Sequence, residues 1–288
     1  MKIKSAVNFI KPVIWKSKIG RITFVFPFFK RRIKIYQAEN STQAAFIKRA
    51  ISLPDLSRYF HPILFSFGRY LFAGWVEGIS SEKIADIEKF RLLDWIVDFQ
   101  SSLHSRSLCV KDEQGGFDYL NYLEKRIVKF APPGLDLDEI GRLRMVASSP
   151  PVEKSGLSHP DVTLRNIVIE KDNGNFRIID NELLSQSPYF LLDIYNTCYS
   201  LYPSKELISY YLNRYASCMI RFSLQPGWES SLAAAWSLRI AGSHFQAGKF
   251  QKGIEALEHW DESNLEIIEM IKNSQIYHNK ALSKAVME

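Results

Sequence analysis

Apolar and polar residues alternate with a two-residue period in the first quarter of the chain, and at helical spacing through most of the rest. Segments 6–15 and 21–29 predict strands around a Lys-Ser-Lys-Ile-Gly turn at 16–20. A third strand is predicted over Arg32-Ile33-Lys34-Ile35-Tyr36, where the isoleucines alternate with Lys34 as a half-buried strand requires. A helix over 41–52 follows. Segments 61–67 and 70–78 then predict two more strands, the second ending at Gly78. Over 81–104 the apolar positions Ile84, Ile87, Phe90, Leu93, Ile96, Phe99 and Leu103 recur at helical spacing, with Ser80 and Ser81 offering an N-cap. Less regular helices are predicted at 117–130 and 137–147, between a Gly-Gly break at 115–116 and a Pro-Pro pair at 150–151. Ile167-Val168-Ile169 and Phe176-Arg177-Ile178-Ile179 are two short β-branched runs, joined by Lys171-Asp172-Asn173-Gly174-Asn175. The Asn-Gly inside that connection predicts a hairpin. Beyond it an apolar run opens a helix around Asp193, and helices are predicted at 204–222, 228–246 and 253–271 before a polar tail at 273–288.

Composition changes this picture little. The chain has 288 residues, 46% of them hydrophobic and 24% charged, enough for a substantial core and ordinary for a soluble globular protein. No run approaches the roughly 18 apolar residues of a membrane span. Lys11, Lys16 and Lys18 interrupt any signal-peptide core. Cys109, Cys198 and Cys218 have no metal-ligand spacing and their odd number argues against a disulfide framework, which makes a reducing cytoplasm the expected location. The net charge of +6 is concentrated in residues 1–34, which contain no acidic residue. Such a segment suits phosphate, an anionic membrane surface at the inner face, or nucleic acid, and equally a solvated strand face. No aromatic-interleaved motif supports the nucleic-acid option.

The chemistry concentrates between 156 and 182. The hairpin would place Asn166 just before its first strand and Asp180 just after its second, so that the two side chains converge, with Asp161 a third oxygen donor on the loop leading in. Mg²⁺ is held by few protein oxygens of this kind and takes its other ligands from water and substrate phosphates. A further carboxylate can orient a hydroxyl and accept its proton. The spacing His159-Pro160-Asp161-x₄-Asn166, followed by Ile179-Asp180-Asn181-Glu182, resembles the catalytic and metal-binding loops of the eukaryotic-like kinase superfamily. Within it the chain is most similar to the aminoglycoside phosphotransferase and choline kinase-like branch.

The resemblance implies an α+β, two-lobed protein-kinase-like fold. Residues 1–78 would form a small antiparallel β lobe with one helix, and 79–288 a large, mostly helical lobe carrying the catalytic hairpin. It implies Asp161 as catalytic base, Asn166 and Asp180 as Mg²⁺ ligands, and His159 as a packing and hydrogen-bonding anchor. It also implies Lys34 on the ATP phosphates, with Arg32 or Lys30 in that place if the register differs. Trp75, Val76 and Glu77 would meet adenine at the hinge, and Asp193 would support the catalytic loop. His104 reads as a helix cap without a catalytic role. Two departures stand out: the nucleotide-covering glycine loop is missing, and Gln43 occupies the place where a glutamate would pair the lysine. The expected activity is ATP-dependent transfer of a phosphoryl group to a hydroxyl of a sugar, a cell-envelope glycan precursor or an aminoglycoside-like polyol. The alternative is a pseudokinase that binds nucleotide without turnover. Asp180-Asn181-Glu182 differs from Asp-Phe-Gly, which argues against a protein kinase.

Overall fold

A computed structural model describes residues 13–16, 22–28, 31–84, 86–106, 117–153, 155–218, 222–262, 265–274 and 276. The predicted strand residues 6–12, the turn at 17–20, Lys30, most of the basic segment, Cys109, the 115–116 break and the end of the tail lie outside them. The chain opens with strands β1 (Val13–Lys16), β2 (Ile22–Phe28) and β3 (Arg31–Gln37). Helix α1 (Ser41–Ile51) follows, its first turn closed by the Asn40 carboxamide accepting from the Gln43 amide at 2.8 Å. Strands β4 (Ile63–Phe67) and β5 (Tyr70–Gly74) complete an antiparallel sheet of order β1-β2-β3-β5-β4. Strand β3 is central, so Lys34 is paired on both sides, with Val25 and with Ala73. Helix α1 packs on β4 and β5 through Ala44, Phe46, Ile47 and Ala50.

Gly78 does not end a strand as the sequence suggests. The strand stops at Gly74, and Gly78 opens β6 (Gly78–Ser80). A Cβ on Gly78 would sit 2.0 Å from the Ile169 carbonyl oxygen, so the absence of a side chain is what lets this segment approach its neighbour. A 3₁₀ turn at Ser81–Lys83 then leads into α2 (Asp86–His104), so the predicted helix begins later than its N-cap signal implied. Helices α3 (Tyr119–Phe130) and α4 (Leu137–Ala147) start at Asp118 and Asp136, each capping its own first turn. Next come β7 (Gly156–Ser158), β8 (Ile167–Glu170), β9 (Phe176–Ile178) and β10 (Ser185–Ser187). Strands β8 and β9 form the predicted hairpin, β6 adds to its outer edge, and β7 pairs with β10.

The remainder is helical: α5 (Leu191–Leu201), α6 (Lys205–Ala216), α7 (Trp228–Gln246), α8 (Phe250–Glu258) and α9 (Leu265–Asn273). The single helix expected over 253–271 is two, because the polar stretch around 259–262 turns between them. Helix α7 is the hub, packed by α3, α4, α5 and α8. Leu232, Leu238 and Ala234 on it are fully buried, and each large apolar side chain so placed contributes about 1.5–3 kcal/mol. The small sheet and the helical part meet through the hairpin. The Ile178 amide donates to the Tyr59 carbonyl at 2.8 Å, and Arg177 reaches the carbonyls of Ser57, Arg58 and Phe60. Among the described residues no helix is long and apolar enough to cross a membrane.

Candidate active site

The β8–β9 hairpin is the base of the site. A 3₁₀ turn, Leu164–Asn166, delivers Asn166 to the start of β8, and the Ile179 amide donates to the Asn166 carbonyl at 3.0 Å. That bond closes the base of the hairpin and sets Asn166 beside the segment that begins with Asp180. The Asn166 Nδ2 donates to the Asp161 carbonyl at 2.8 Å and faces its Oδ2 at 3.3 Å. With the nitrogen so used, Oδ1 of Asn166 remains as an oxygen donor. Asp180, half-buried, begins the segment that the Ile179 backbone bond ties to Asn166. A carboxylate and an amide oxygen are the kinds of donor that suit Mg²⁺. Among the described residues no cluster of His, Cys, Asp and Glu offers an alternative metal cage.

Asp161 sits on the loop between β7 and the 3₁₀ turn, its side chain 31% exposed. The loop is fixed by Asp193, which is buried at the start of α5. The Asp193 carboxylate accepts from the Ser158 hydroxyl at 2.8 Å and from the His159 amide at 2.6 Å. It also meets His104 Nε2 at 3.0 Å. His104 is thus a buried link between Asp193 and the Tyr215 hydroxyl, 2.7 Å from its Nδ1, rather than a helix cap. Gly156 makes this approach possible, since a Cβ there would stand 2.7 Å from the His104 carbonyl. His159 is fully buried, its ring stacked on Phe60 with centroids 6.2 Å apart. Neither ring nitrogen has a hydrogen bond among the described residues. Burial lowers the His159 pKa, against the opposing pull of Asp193 and Asp161, so the ring is held uncharged.

Lys34 reaches the same place from the small sheet. Its Nζ donates to the Ile179 carbonyl at 2.6 Å, one residue before Asp180, and lies 4.5 Å over the Tyr36 ring. The Tyr36 hydroxyl bonds to the same carbonyl and to His61 Nε2. Burial raises the Tyr36 pKa, and Asp180 and Glu182 raise it further. Gln43 does not turn to the lysine. It is buried, accepts from the Glu39 amide at 2.6 Å and donates to the Glu182 carbonyl at 2.9 Å. At the expected hinge, Trp75, Val76 and Glu77 form the irregular link between β5 and β6 and line an open groove with Ile169 and Lys171. The Glu77 carbonyl accepts from the Lys171 amide at 2.9 Å, which ties this link to the end of β8.

No family model and no curated protein matches the chain. Solved structures do. A choline kinase from Cryptosporidium parvum superposes with a TM-score of 0.61 at 13% identity, covering 95% of each chain. A thermostable mutant of aminoglycoside phosphotransferase APH(4)-Ia gives 0.58 at 12% identity over 92% of this chain and 96% of that one. The ethanolamine kinase of Plasmodium vivax gives 0.54 at 16% identity over 88% of this chain and 82% of that one. The fold is that of the small-molecule phosphotransferases. The protein-kinase-like fold expected from the two loops therefore extends over nearly the whole chain.

That fold also shows what the sequence pattern missed. Arg239 on α7 is buried, and its Nη2 donates to Asp161 Oδ1 at 2.8 Å. Its Nη1 lies 3.4 Å from the Tyr119 hydroxyl. Burial works against the Arg239 charge, but Tyr119 and Asp161 more than restore it, and its pKa lies above the ordinary value. Arginine among the apolar positions of a predicted helix was the available signal: Trp236, Leu238 and Ile240 flank it.

Proposed function

We propose that this chain is an ATP-dependent phosphotransferase acting on a hydroxyl of a small molecule, a sugar or cell-envelope glycan precursor being the favoured acceptor. The observation that carries the reading is the meeting of two sets of residues from opposite sides of the fold. Asp161 and Asn166 are hydrogen-bonded to each other, and Lys34 is bonded to the carbonyl immediately before Asp180. Catalysis of phosphoryl transfer is mostly positioning and charge compensation, and this arrangement supplies both. Solved relatives in fold include an APH(4)-Ia complex with AMP-PNP and hygromycin B, which supports a nucleotide donor and a hydroxyl acceptor for the same fold here.

In this reading residues 1–78 form the nucleotide-binding lobe with the hinge, and 79–288 the helical lobe with the catalytic and metal loops. Trp75 and Val76 present backbone groups to adenine, and Lys34 sits on the α- and β-phosphates. Asn166 and Asp180 would hold Mg²⁺, which neutralises charge on the β- and γ-phosphates. Asp161 orients the acceptor hydroxyl and takes its proton as the oxygen attacks the γ-phosphorus. The bond to the bridging oxygen breaks, and ADP leaves. His159 and Asp193 hold the Asp161 loop. Gln43, turned to Glu182 rather than Lys34, favours a second reading in which nucleotide binds without turnover.

Thermal-shift titration with ATP and GTP, each with and without Mg²⁺, tests the site. A rise in Tm of several degrees that requires Mg²⁺ is expected. The absence of a shift with either nucleotide would remove the reading. A shift without ADP release over a panel of sugars, polyols and aminoglycosides would select the scaffold.

A further inference from the structure

We infer that Arg239 is the receptor for an acidic group on the acceptor, so that this site takes hydroxyl compounds bearing a carboxylate or phosphate rather than an amine. The inference rests on the phosphotransferase reading for the role of Asp161. It adds a residue that none of the sequence motifs includes.

Asp161 can take a proton only through a carboxylate oxygen that the acceptor can reach. In the structure Oδ1 is bound by Arg239 at 2.8 Å and Oδ2 faces the Asn166 amide at 3.3 Å. Both carboxylate oxygens are therefore occupied, and the bond from Arg239 must loosen for the hydroxyl to reach Oδ1. The Arg239 side chain is only 7% exposed, however, and a buried cation deprived of its carboxylate is strongly disfavoured. An anionic group on the acceptor resolves the conflict: it takes over the guanidinium while the hydroxyl takes over the Asp161 oxygen. The guanidinium is already oriented for this exchange. Tyr119 meets its other nitrogen, and the Trp236 ring supports it at 5.5 Å. An amine-bearing acceptor would instead bring a like charge to Arg239.

The surrounding charges agree. The acids of α3 and α4 are engaged with their own neighbours: Glu124 with Arg144 at 2.9 Å and Glu139 with Arg142 at 2.6 Å. The Asp118 and Asp136 side chains cap α3 and α4. A second guanidinium, that of Arg126 on α3, faces α7. Arg126 packs 3.4 Å from where a Cβ on Gly242, three residues after Arg239, would stand, and bonds to Gln246 at 2.6 Å.

The test titrates the full chain with three probes of one shape, glucuronate, glucose and glucosamine, with and without AMP-PNP and Mg²⁺. Glucuronate should bind at least about tenfold tighter than glucose, and glucosamine more weakly than either. Arg239→Gln should bring the three within about twofold of one another and leave nucleotide affinity unchanged. Arg239→Lys keeps the charge without the fork, and should preserve the order with a smaller spread. Asp161→Asn acts in the opposite direction. By removing the carboxylate that competes for Arg239 it should tighten glucuronate about tenfold while abolishing transfer. The inference is overturned by glucosamine binding tighter than glucuronate, by an anion preference that survives Arg239→Gln, or by Asp161→Asn weakening the anion. No binding of glucuronate to either the natural chain or Asp161→Asn also overturns it. The titrations without nucleotide keep the two readings apart. Anion binding lost in Arg239→Gln, in a chain that binds no nucleotide, retains the receptor and removes the kinase. Transfer to glucosamine in preference to glucuronate retains the kinase and removes the receptor.

Discussion

Asp193 accepts from Ser158, His159 and His104 at once, and each of those groups is buried. Truncating it would leave several donors without a partner. Asp193→Ala should therefore cost about 3–5 kcal/mol of stability, read as a lower urea midpoint with an unchanged m-value. A change of less than about 1 kcal/mol would show that the loop is held by something else. Asp161 and Asp180 make a contrasting pair. Asp161→Ala should lower kcat by about 10²–10⁴-fold with nucleotide affinity intact, as expected for loss of a positioned base. Asp180→Ala should weaken nucleotide binding only when Mg²⁺ is present. Turnover retained in the first variant, or unchanged Mg-ATP affinity in the second, would reassign the residue. At this scale the contact of Asp161 with Asn166 was legible in the sequence, because one predicted hairpin and its lead-in loop carry both. Arg239 was not, since it meets Asp161 across 78 positions through helix packing that no local pattern encodes.

Among the elements, the regular helices α4 and α7 and the β8–β9 hairpin were legible, and strands β7 and β10 were not. Helix α7 occupies the residues its periodicity marks, and α4 does so too. Strands β7 and β10 have three residues each, too few for an alternation to register, and their pairing depends on the turn between β9 and α5. The α8–α9 break was missed because apolar residues recur on both sides of it at compatible spacing. Helix α1 shows an element linked to the site through one side chain. Gln43 joins its first turn to the Glu182 carbonyl, two residues past Asp180. Gln43→Ala would remove both of these bonds, from the Glu39 amide and to the Glu182 carbonyl, at a part-buried place. It should lower stability by about 1–3 kcal/mol and weaken Mg-ATP binding as the Asp180 segment loses its tether. Loss of stability with nucleotide affinity intact would confine Gln43 to a structural role.

The whole molecule carries a pH response that follows from how its two parts meet. His61 bridges the small sheet to the hairpin: its Nδ1 lies 2.9 Å from the Gly74 carbonyl, and its Nε2 meets the Tyr36 hydroxyl that bonds to Ile179. Burial, reinforced by the nearby Lys34 charge and only partly offset by the Gly74 carbonyl, lowers its pKa to about 3. His159, stacked on Phe60, is lowered too, again chiefly by burial. In the folded chain both rings take up a proton only below the usual histidine range, His61 at about pH 3, whereas in the unfolded chain each does so near pH 6.5. The unfolded state thus binds more protons below that pH, and stability rises with pH across the interval. The stabilisation is complete above about pH 6.5 and is lost as pH falls towards the folded values, by up to about 1.4 kcal/mol per pH unit for each histidine. Carboxylates add their own slope in acid, so the histidine share is isolated by difference. Urea unfolding of the natural chain and of His61→Gln between pH 7 and pH 4 should show a slope shallower by up to about one proton in the variant. Parallel slopes would mean that His61 is not held neutral at the junction, and that the contact between sheet and hairpin rests on Lys34 and Tyr36 without it.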